Sequence, residues 1–278
     1  LDAHLPPDWE AVSQGSRAGH ERGPDAVRVR WDSPEPQEEA YLVAGPLVEH
    51  ARLSFRVPVH AFLRTDDAAL AERYLGAAAG YLAMYEQLLG PYPYAKFALV
   101  ENFWETGYGM PSFTLLGPRI LRLPFILHTS FPHEILHDWW GNGVFVDAAR
   151  GNWCEGLTAY LADHLVAEQS GRGDDYRRTA LQRFTDYVAE GRDPPVSAFR
   201  ARSDSVTQAV GSAKGLLVGT IGAGAGGDLV GIGLGGGGLG GGGHAKGPLV
   251  GGERRRAGGH FPGGGDGGAG GGGGAGAR

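Results

Sequence analysis

The segment HEILH, residues 133–137, combines residue types and spacing that could do chemistry. On a helix, the imidazoles of His133 and His137 project from one face, roughly 6 Å apart, and can reach one metal ion. Glu134 lies one step round the helix, where it can hold a metal-bound water without being a ligand. This is the geometry of a zinc hydrolase. The alternative is a chance match. A random order of the chain, with 10 histidines and 31 acidic residues, gives about 0.04 matches to the pattern His-acid-x-x-His, which disfavours chance.

A catalytic zinc ion needs three protein ligands and a water, so the motif requires a third ligand nearby in space. Glu155, in GNWCEGLTAYLAD, is the candidate, on the next predicted helix. Its alternative interpretation is an ordinary acidic residue at a helix start, favoured by the helix dipole. Cys154 is expected to be a small buried hydrophobe, because adjacent helical side chains diverge by about 100°.

Several predicted elements must position these residues. DDAALAERYLGAAAGYLAMYEQLLG repeats apolar residues at helical spacing, which predicts a helix capped by Thr65 or Asp66 and ended by Gly90 and Pro91. KFALVEN and SFTLLG predict strands on either side of the loop FWETGYGMP.

The HEILH helix is expected to have Ser130 as its N-cap. A second helix is predicted from near Asn152 to Gly171, and a third over about 174–190. Residues 1–40 are rich in proline and charge, which predicts loops with little core. From residue 41, short apolar runs broken by glycine and proline predict strands of a β-rich domain.

With these motifs in view, the sequence resembles the aminopeptidase N family of gluzincin zinc peptidases. The matching segments are HEILHDWWGN at 133–142, NWCEGLTAYLAD at 152–163 and GYGMPSFTLLG at 107–117. The resemblance implies an α+β fold with a thermolysin-like (gluzincin) catalytic domain over 51–218. Residues 1–50 would be the remnant of an N-terminal β-domain, and 219–278 a disordered glycine-rich tail, in a chain missing both ends of its parent.

The resemblance also implies the roles of the site residues. His133, His137 and Glu155 would be the ligands of one zinc ion (Zn²⁺) per chain, and Glu134 the general base for hydrolysis of a peptide substrate. The backbone groups of Gly109 and Met110 would align that peptide as an added strand.

Three positions depart from the family pattern. Seventeen residues separate His137 from Glu155, where the family usually has 18, a difference that a loop absorbs. Pro111 and Ser112 replace the Glu-Asn whose glutamate grips the free amino terminus of the substrate. Ser212 replaces a tyrosine that donates to the oxyanion. The alternatives are therefore a catalytically silent zinc-bearing peptide-binding module and a nonfunctional fragment.

Composition bounds the remaining function classes. The net charge of −6 gives little electrostatic support to nucleic-acid binding. The single cysteine excludes an internal disulfide and an all-cysteine metal site. No run of 18 or more residues is apolar enough to predict a transmembrane helix. The compartment and the oligomeric state stay open.

Overall fold

The computed structural model describes residues 1–53, 56–188, 193–200, 207 and 209–217. The strands within these ranges are β1 (Asp2–Leu5), β2 (Glu10–Ser13), β3 (Ser16–Arg22), β4 (Val27–Asp32), β5 (Leu42–Gly45), β6 (Val48–Arg52), β7 (Val59–Leu63), β8 (Phe97–Glu101), β9 (Gly107–Met110) and β10 (Phe113–Leu116). The α-helices are α1 (Ala68–Leu89), α2 (Ser130–Leu136), α3 (Cys154–Thr158), α4 (Leu165–Gln169) and α5 (Gly173–Tyr187). Two stretches are π-helical, Ala159–His164 and Ala209–Lys214.

The prediction of loops with little core over 1–40 is wrong for residues 1–32, which contain the four strands β1 to β4 and buried side chains, whereas residues 33–40 contain no strand. β4 pairs with β1 and β3 in a three-stranded antiparallel sheet, and β2 pairs with β5. The sequence VRVRW alternates apolar and basic residues, which buries Val27, Val29 and Trp31 on one face. The indole N–H of Trp31 donates to the carbonyl oxygen of Ala11 at 3.1 Å. The abundance of proline and charge masked this period-two pattern.

A five-stranded mixed sheet, in the order β6-β7-β8-β10-β9, forms the centre of the fold. Its inner strands β7, β8 and β10 run parallel, and the outer strands β6 and β9 are antiparallel to their neighbours. Side chains of β8 alternate between two cores. Phe97 and Leu99 pack with the helices, whereas Ala98 and Val100 pack with the N-terminal strands. Since both faces are covered, these strands are almost entirely apolar.

The predicted strands KFALVEN and SFTLLG are confirmed as β8 and β10, but the loop predicted between them contains the additional strand β9. Thr114 of β10 pairs with Gly109 of β9. Glycine is depleted in strands, so local preference argued against β9, and pairing with β10 overrides it.

Helix α1 packs against β6 and β7 and buries the predicted apolar face. Its N-cap is Asp67, whose Oδ1 accepts the backbone N–H of Leu70 at 2.9 Å, so the predicted cap at Thr65 or Asp66 is wrong by one or two positions. The predicted end is confirmed, because Gly90 follows the helix at φ 97°, where glycine is favoured.

The helices after HEILH differ in detail from the prediction. Thr129, not Ser130, precedes α2, and no side chain caps it. The predicted helix from Asn152 to Gly171 is a succession of α3, a π-helical stretch and α4.

The predicted tail, 219–278, lies outside the described residues, and the domain boundaries at 50 and 218 stay predictions. No helix in the described part of the chain has the length and apolarity to cross a bilayer.

Replacing Asp67 by alanine removes the N-cap acceptor and is expected to lower the free energy of unfolding by about 1 kcal/mol. Asp66→Ala is the matched control, since the Asp66 side chain is 76% exposed and pairs only with His50 at 3.3 Å among the described residues. Urea unfolding followed by circular dichroism measures both variants. Equal destabilisation by the two would contradict the assignment of the cap.

Candidate metal centre

Helix α2 presents both histidines of the HEILH motif because its other face is anchored in the core. Phe131, Ile135 and Leu136 are fully buried, and the ring of Phe131 meets Tyr74 of α1 edge-on at 4.9 Å between centroids. Pro132 is tolerated because N–H groups of the first helical turn have no intrahelical acceptor.

The structure brings His133, His137 and Glu155 together. Nε2 of His133 lies 3.6 Å from Oε2 of Glu155, and Nε2 of His137 lies 3.9 Å from Oε1 of the same carboxylate. One potential ligand atom from each residue lies within 4.8 Å of the other two. All three side chains are at most 15% exposed. Two helices thus place two imidazoles and one carboxylate around one point, which suits a tetrahedral zinc site with one open position.

Glu155 reaches this point because α3 packs closely on a neighbouring segment. A Cβ atom on Gly156 would lie 2.9 Å from Cα of Gly215, which follows the π-helical stretch Ala209–Lys214. The second glycine of this contact is equally restricted, since a Cβ there would lie 2.8 Å from Cα of Gly156. The pair of glycines allows the two backbones to touch, as close helix approach requires.

A further carboxylate, missed by the sequence analysis, orients one imidazole. Nδ1 of His133 lies 3.1 and 3.2 Å from the two carboxylate oxygens of Asp163, and the hydroxyl of Tyr176 donates to Oδ2 of Asp163 at 3.3 Å. A proton on Nδ1 leaves the lone pair of Nε2 free for a metal.

The π-helical stretch explains why Asp163 was missed. Asp163 follows Glu155 by eight positions, which an α-helix of about 100° per residue would turn about 80° away. A π-helical turn holds more residues and rotates less per residue, so it brings Asp163 nearer to the face of Glu155. The sequence signal that could have identified Asp163 is an acidic residue about two helical turns after a candidate ligand.

The second imidazole is oriented by the backbone. Nδ1 of His137 lies 3.3 Å from the carbonyl oxygen of Trp140 and 3.3 Å from Sγ of Cys154. Cys154 is buried as predicted, but it also contacts the histidine, a contact that its position beside Glu155 did not suggest. A proton on Nδ1 of His137 therefore has an acceptor, and Nε2 faces Glu155.

The charges around the two rings favour a cation. Burial lowers the pKa of His133. Asp163, helped by Glu155 and Glu134, nevertheless raises this pKa to about 10. Burial, reinforced by His133, lowers the pKa of His137. Three carboxylates thus surround two imidazoles in a largely buried space, where uncompensated negative charge is unfavourable.

An orphaned atom supports the fit to a metal ion. Nε2 of His133 is buried and has no hydrogen-bond partner in the described part of the chain. A buried polar atom without a partner is rare in folded proteins, and a metal ion would satisfy it. The residues present fit zinc, which nitrogen and carboxylate ligands bind in peptidases.

Strand β9 lies directly on the metal-site helix. A Cβ atom on Gly109 would lie 2.9 Å from both the carbonyl oxygen of Glu134 and Cβ of His137. A Cβ on Gly107 would lie 3.4 Å from Oε1 of Glu134. The partly exposed carboxylate of Glu134 is therefore next to the backbone of β9, where Gly109 and Met110 were expected to align a peptide.

The residues that depart from the family pattern lie in two places. Pro111 and Ser112 form the turn between β9 and β10. Ser212 is partly buried in the π-helical stretch Ala209–Lys214, which packs against α3. Neither place supplies a carboxylate or a phenol at the position where the family pattern has one.

Comparisons with known proteins show what this fold and these converging side chains are similar to. The chain is 31% identical to human aminopeptidase B over 162 residues, 55% of this chain and 24% of the relative. It is 26% identical to human aminopeptidase RNPEPL1 over 209 residues, 71% of this chain and 28% of the relative. The chain thus spans about a quarter of the length of these relatives. No family model matches it.

Solved structures of M1 zinc metallopeptidases share the fold of this chain. An M1 zinc metallopeptidase from Deinococcus radiodurans superposes with a TM-score of 0.59 at 19% identity, over 78% of this chain and 50% of that one. A two-domain M1 zinc metallopeptidase bound to L-arginine gives 0.58 at 19% identity, over the same shares. The predicted resemblance is confirmed: the chain has the α+β fold of M1 zinc metallopeptidases, and its curated relatives are aminopeptidases.

Replacing Asp163 by asparagine weakens the acceptor that holds Nδ1–H of His133 and is expected to lower the affinity for zinc about 10–100-fold. Asp175→Asn is the matched control, because that carboxylate is 74% exposed on α5 and pairs with Arg178. Competition of the metal-free proteins with a chelating dye measures both affinities. An unchanged affinity in Asp163→Asn would show that Asp163 does not support the metal site.

Proposed function

We propose that the chain is an aminopeptidase-like zinc peptidase with one zinc ion, held by His133, His137 and Glu155. The observation that carries this proposal is the convergence of their ligand atoms within 4.8 Å of one another, together with the orphaned Nε2 of His133. Bound there, zinc would supply Lewis-acid chemistry, polarising the substrate carbonyl and acidifying a water. The aminopeptidase names of the curated relatives support the same activity.

Glu134 is the proposed general base. Its carboxylate lies beside the backbone of β9, within reach of a peptide bound along that strand. It accepts a proton from the attacking water and returns a proton to the leaving amine. Its position one residue after His133 keeps it on α2 but off the line of the ligands.

Strand β9 is the proposed substrate-aligning element. It is the edge strand of the five-stranded sheet and pairs with β10 on one side, so its other edge can pair with an extended peptide. One acceptor there is already engaged, because Nδ2 of Asn142 donates to the carbonyl oxygen of Gly109 at 3.2 Å. Asn142 therefore fixes β9 relative to the end of the metal-site helix.

The proposed function is tested by metal content and hydrolysis together. The parent chain is expected to bind one equivalent of zinc, and His133→Ala to lose it, because two ligands do not complete the site. Glu134→Gln should retain zinc while hydrolysis falls about 10³-fold or more. Elemental analysis and cleavage of free and N-acetylated peptides measure these outcomes.

Glu168→Gln is the control for the loss of a carboxylate, since Glu168 is 52% exposed and pairs with Arg177 and His164. It should cleave peptides at the parent rate. Stoichiometric zinc in His133→Ala, or an undiminished rate in Glu134→Gln, would refute the assigned roles. Cleavage of the acetylated peptides at the same rate as the free ones would show that no charge contact selects a free amino terminus.

A catalytically weak zinc-bearing module is the second candidate, favoured by Ser212 at the position of the family tyrosine. A serine hydroxyl is too short to replace a phenol as an oxyanion donor, and loss of such a donor costs about 10²–10³ in rate. The same substitution leaves the proposed ligands untouched, so zinc binding and weak turnover are compatible.

Ser212→Tyr is accordingly expected to raise kcat at least about tenfold by restoring the donor, with zinc content unchanged. Ser212→Phe supplies the same ring without the hydroxyl and should give no such gain. Steady-state kinetics on one peptide compares the two variants. Equal rates in Tyr and Phe variants would show that position 212 does not reach the oxyanion.

A further inference from the structure

Ser112, in the turn between β9 and β10, is held in an unusual backbone conformation. It is the single described residue other than glycine with a positive φ, at 69°, and it is fully buried. Such a conformation persists in a serine only where the surroundings impose it. The turn therefore has a fixed geometry, and β9 ends two residues before Ser112.

Three segments far apart in sequence impose that geometry. The backbone N–H of Ser112 donates to Oδ1 of Asp138 at 2.8 Å. Its Oγ accepts the backbone N–H of Gly15 at 3.1 Å and Nζ of Lys96 at 2.7 Å. Nζ of Lys96 also donates to the carbonyl oxygens of Ser112 at 3.0 Å and Ser13 at 2.9 Å. The hydrogen bonds join the N-terminal strands, the sheet and the metal-site segment at one residue.

Asp138 connects this turn to the metal site. It directly follows His137 and is only 1% exposed. Its other carboxylate oxygen, Oδ2, accepts the hydroxyl of Tyr92 at 2.8 Å. A buried carboxylate is unfavourable unless hydrogen-bonded, and here both oxygens are used. We call Tyr92, Lys96, Ser112 and Asp138 the Ser112 cluster.

The cluster and Asn142 hold the second half of β9 and the turn after it against the segment that follows α2. The side chain of Asn142, five residues after His137, donates to the carbonyl oxygen of Gly109. The carboxylate of Asp138 accepts the N–H of Ser112, in the turn that follows β9. Gly109 itself also touches α2 so closely that a Cβ atom there would overlap the helix. The distance from the peptide-aligning edge to Glu134 is thus set by two side chains, Asp138 and Asn142, that follow the end of α2.

We propose that Asp138 is a positioning residue for the substrate: through the backbone N–H of Ser112 it fixes β9 relative to the metal-site helix and so sets the alignment of the bound peptide. This inference rests on the proposed function. Within the described part of the chain, the Asp138 side chain hydrogen-bonds to Tyr92 and Ser112 and to neither a ligand nitrogen nor the proposed general base. Its removal should therefore affect peptide alignment rather than metal binding.

The test compares Asp138→Ala with Asp138→Asn in the zinc-loaded full chain. Asparagine retains an oxygen that accepts the N–H of Ser112, whereas alanine has none. In the alanine variant, amide hydrogen exchange across β9 is expected to rise about tenfold while zinc stays at one equivalent. For a cleaved peptide, kcat/KM should fall about tenfold through KM and kcat together, because a displaced β9 weakens binding and moves the peptide relative to Glu134. The asparagine variant should recover most of both losses.

Thr114→Val is the matched control. Thr114 is fully buried on β10, opposite Gly109, and its hydroxyl makes no hydrogen bond within the described residues. The substitution removes a buried polar group beside β9 without touching the Ser112 cluster, and exchange, zinc content and kcat/KM should stay at parent values. If Asp138→Ala does not fold, Asp138→Leu replaces it, since leucine fills the space of the carboxylate and offers no acceptor to the N–H of Ser112, and the same rise in exchange across β9 is expected.

Exchange of β9 at the parent rate in Asp138→Ala, or a loss equal in the alanine and asparagine variants, would overturn the inference. So would loss of zinc with β9 still protected. The exchange measurement needs no turnover, so it decides about Asp138 even in a chain that cleaves no peptide. Failure of the proposed function itself is seen separately, in the parent chain, as absence of zinc-dependent hydrolysis.

Discussion

The charge balance at the candidate metal centre is the constraint on which the rest of the structure depends. Two imidazoles face the carboxylate of Glu155, and Asp163 and Glu134 add further negative charge in a largely buried space. Groups of this kind are removed from water only where a cation or a set of hydrogen bonds compensates them. Helix α2 can therefore pack against the π-helical stretch that continues α3, because their polar side chains and Glu155 surround one proposed ion, while their apolar side chains join the core formed with α1 and the sheet.

Orientation of the ligands comes from outside the motif. Asp163 holds one ring, and the carbonyl oxygen of Trp140 holds the other, so both Nε2 atoms face inward. The position of Asp163 depends on a π-helical stretch, a feature that is often found at functional sites. A purely α-helical continuation of α3 would rotate this carboxylate away from His133. The irregular helix is thus part of the candidate metal centre.

The proposed substrate-aligning strand and the proposed metal ligands are held in place in different ways. The ligands are held by side chains, whereas β9 is held by its backbone, through Gly109 against α2 and through the turn at Ser112. Pro111 and Ser112 supply no charge for a free amino terminus, yet Ser112 ties the turn to the N-terminal strands through Gly15 and Lys96. The departures from the family pattern therefore change the proposed recognition of the substrate while the proposed zinc ligands stay intact.

The sequence by itself determined the two histidines and Glu134 as a set, the apolar face of α1 and the strands β8 and β10, because spacing along one element fixes which side chains share a face. It also indicated Glu155, because a catalytic zinc site needs a third protein ligand and Glu155 lies on the next predicted helix. The local sequence pattern did not predict the strands of the first 32 residues or β9, because pairing with other strands decided these elements. It also misplaced the cap of α1, which the structure assigns to Asp67. The tertiary structure alone decided the positions of Asp163 and Asp138, since contacts between residues far apart in sequence depend on how helices and strands pack and on where a helix is underwound.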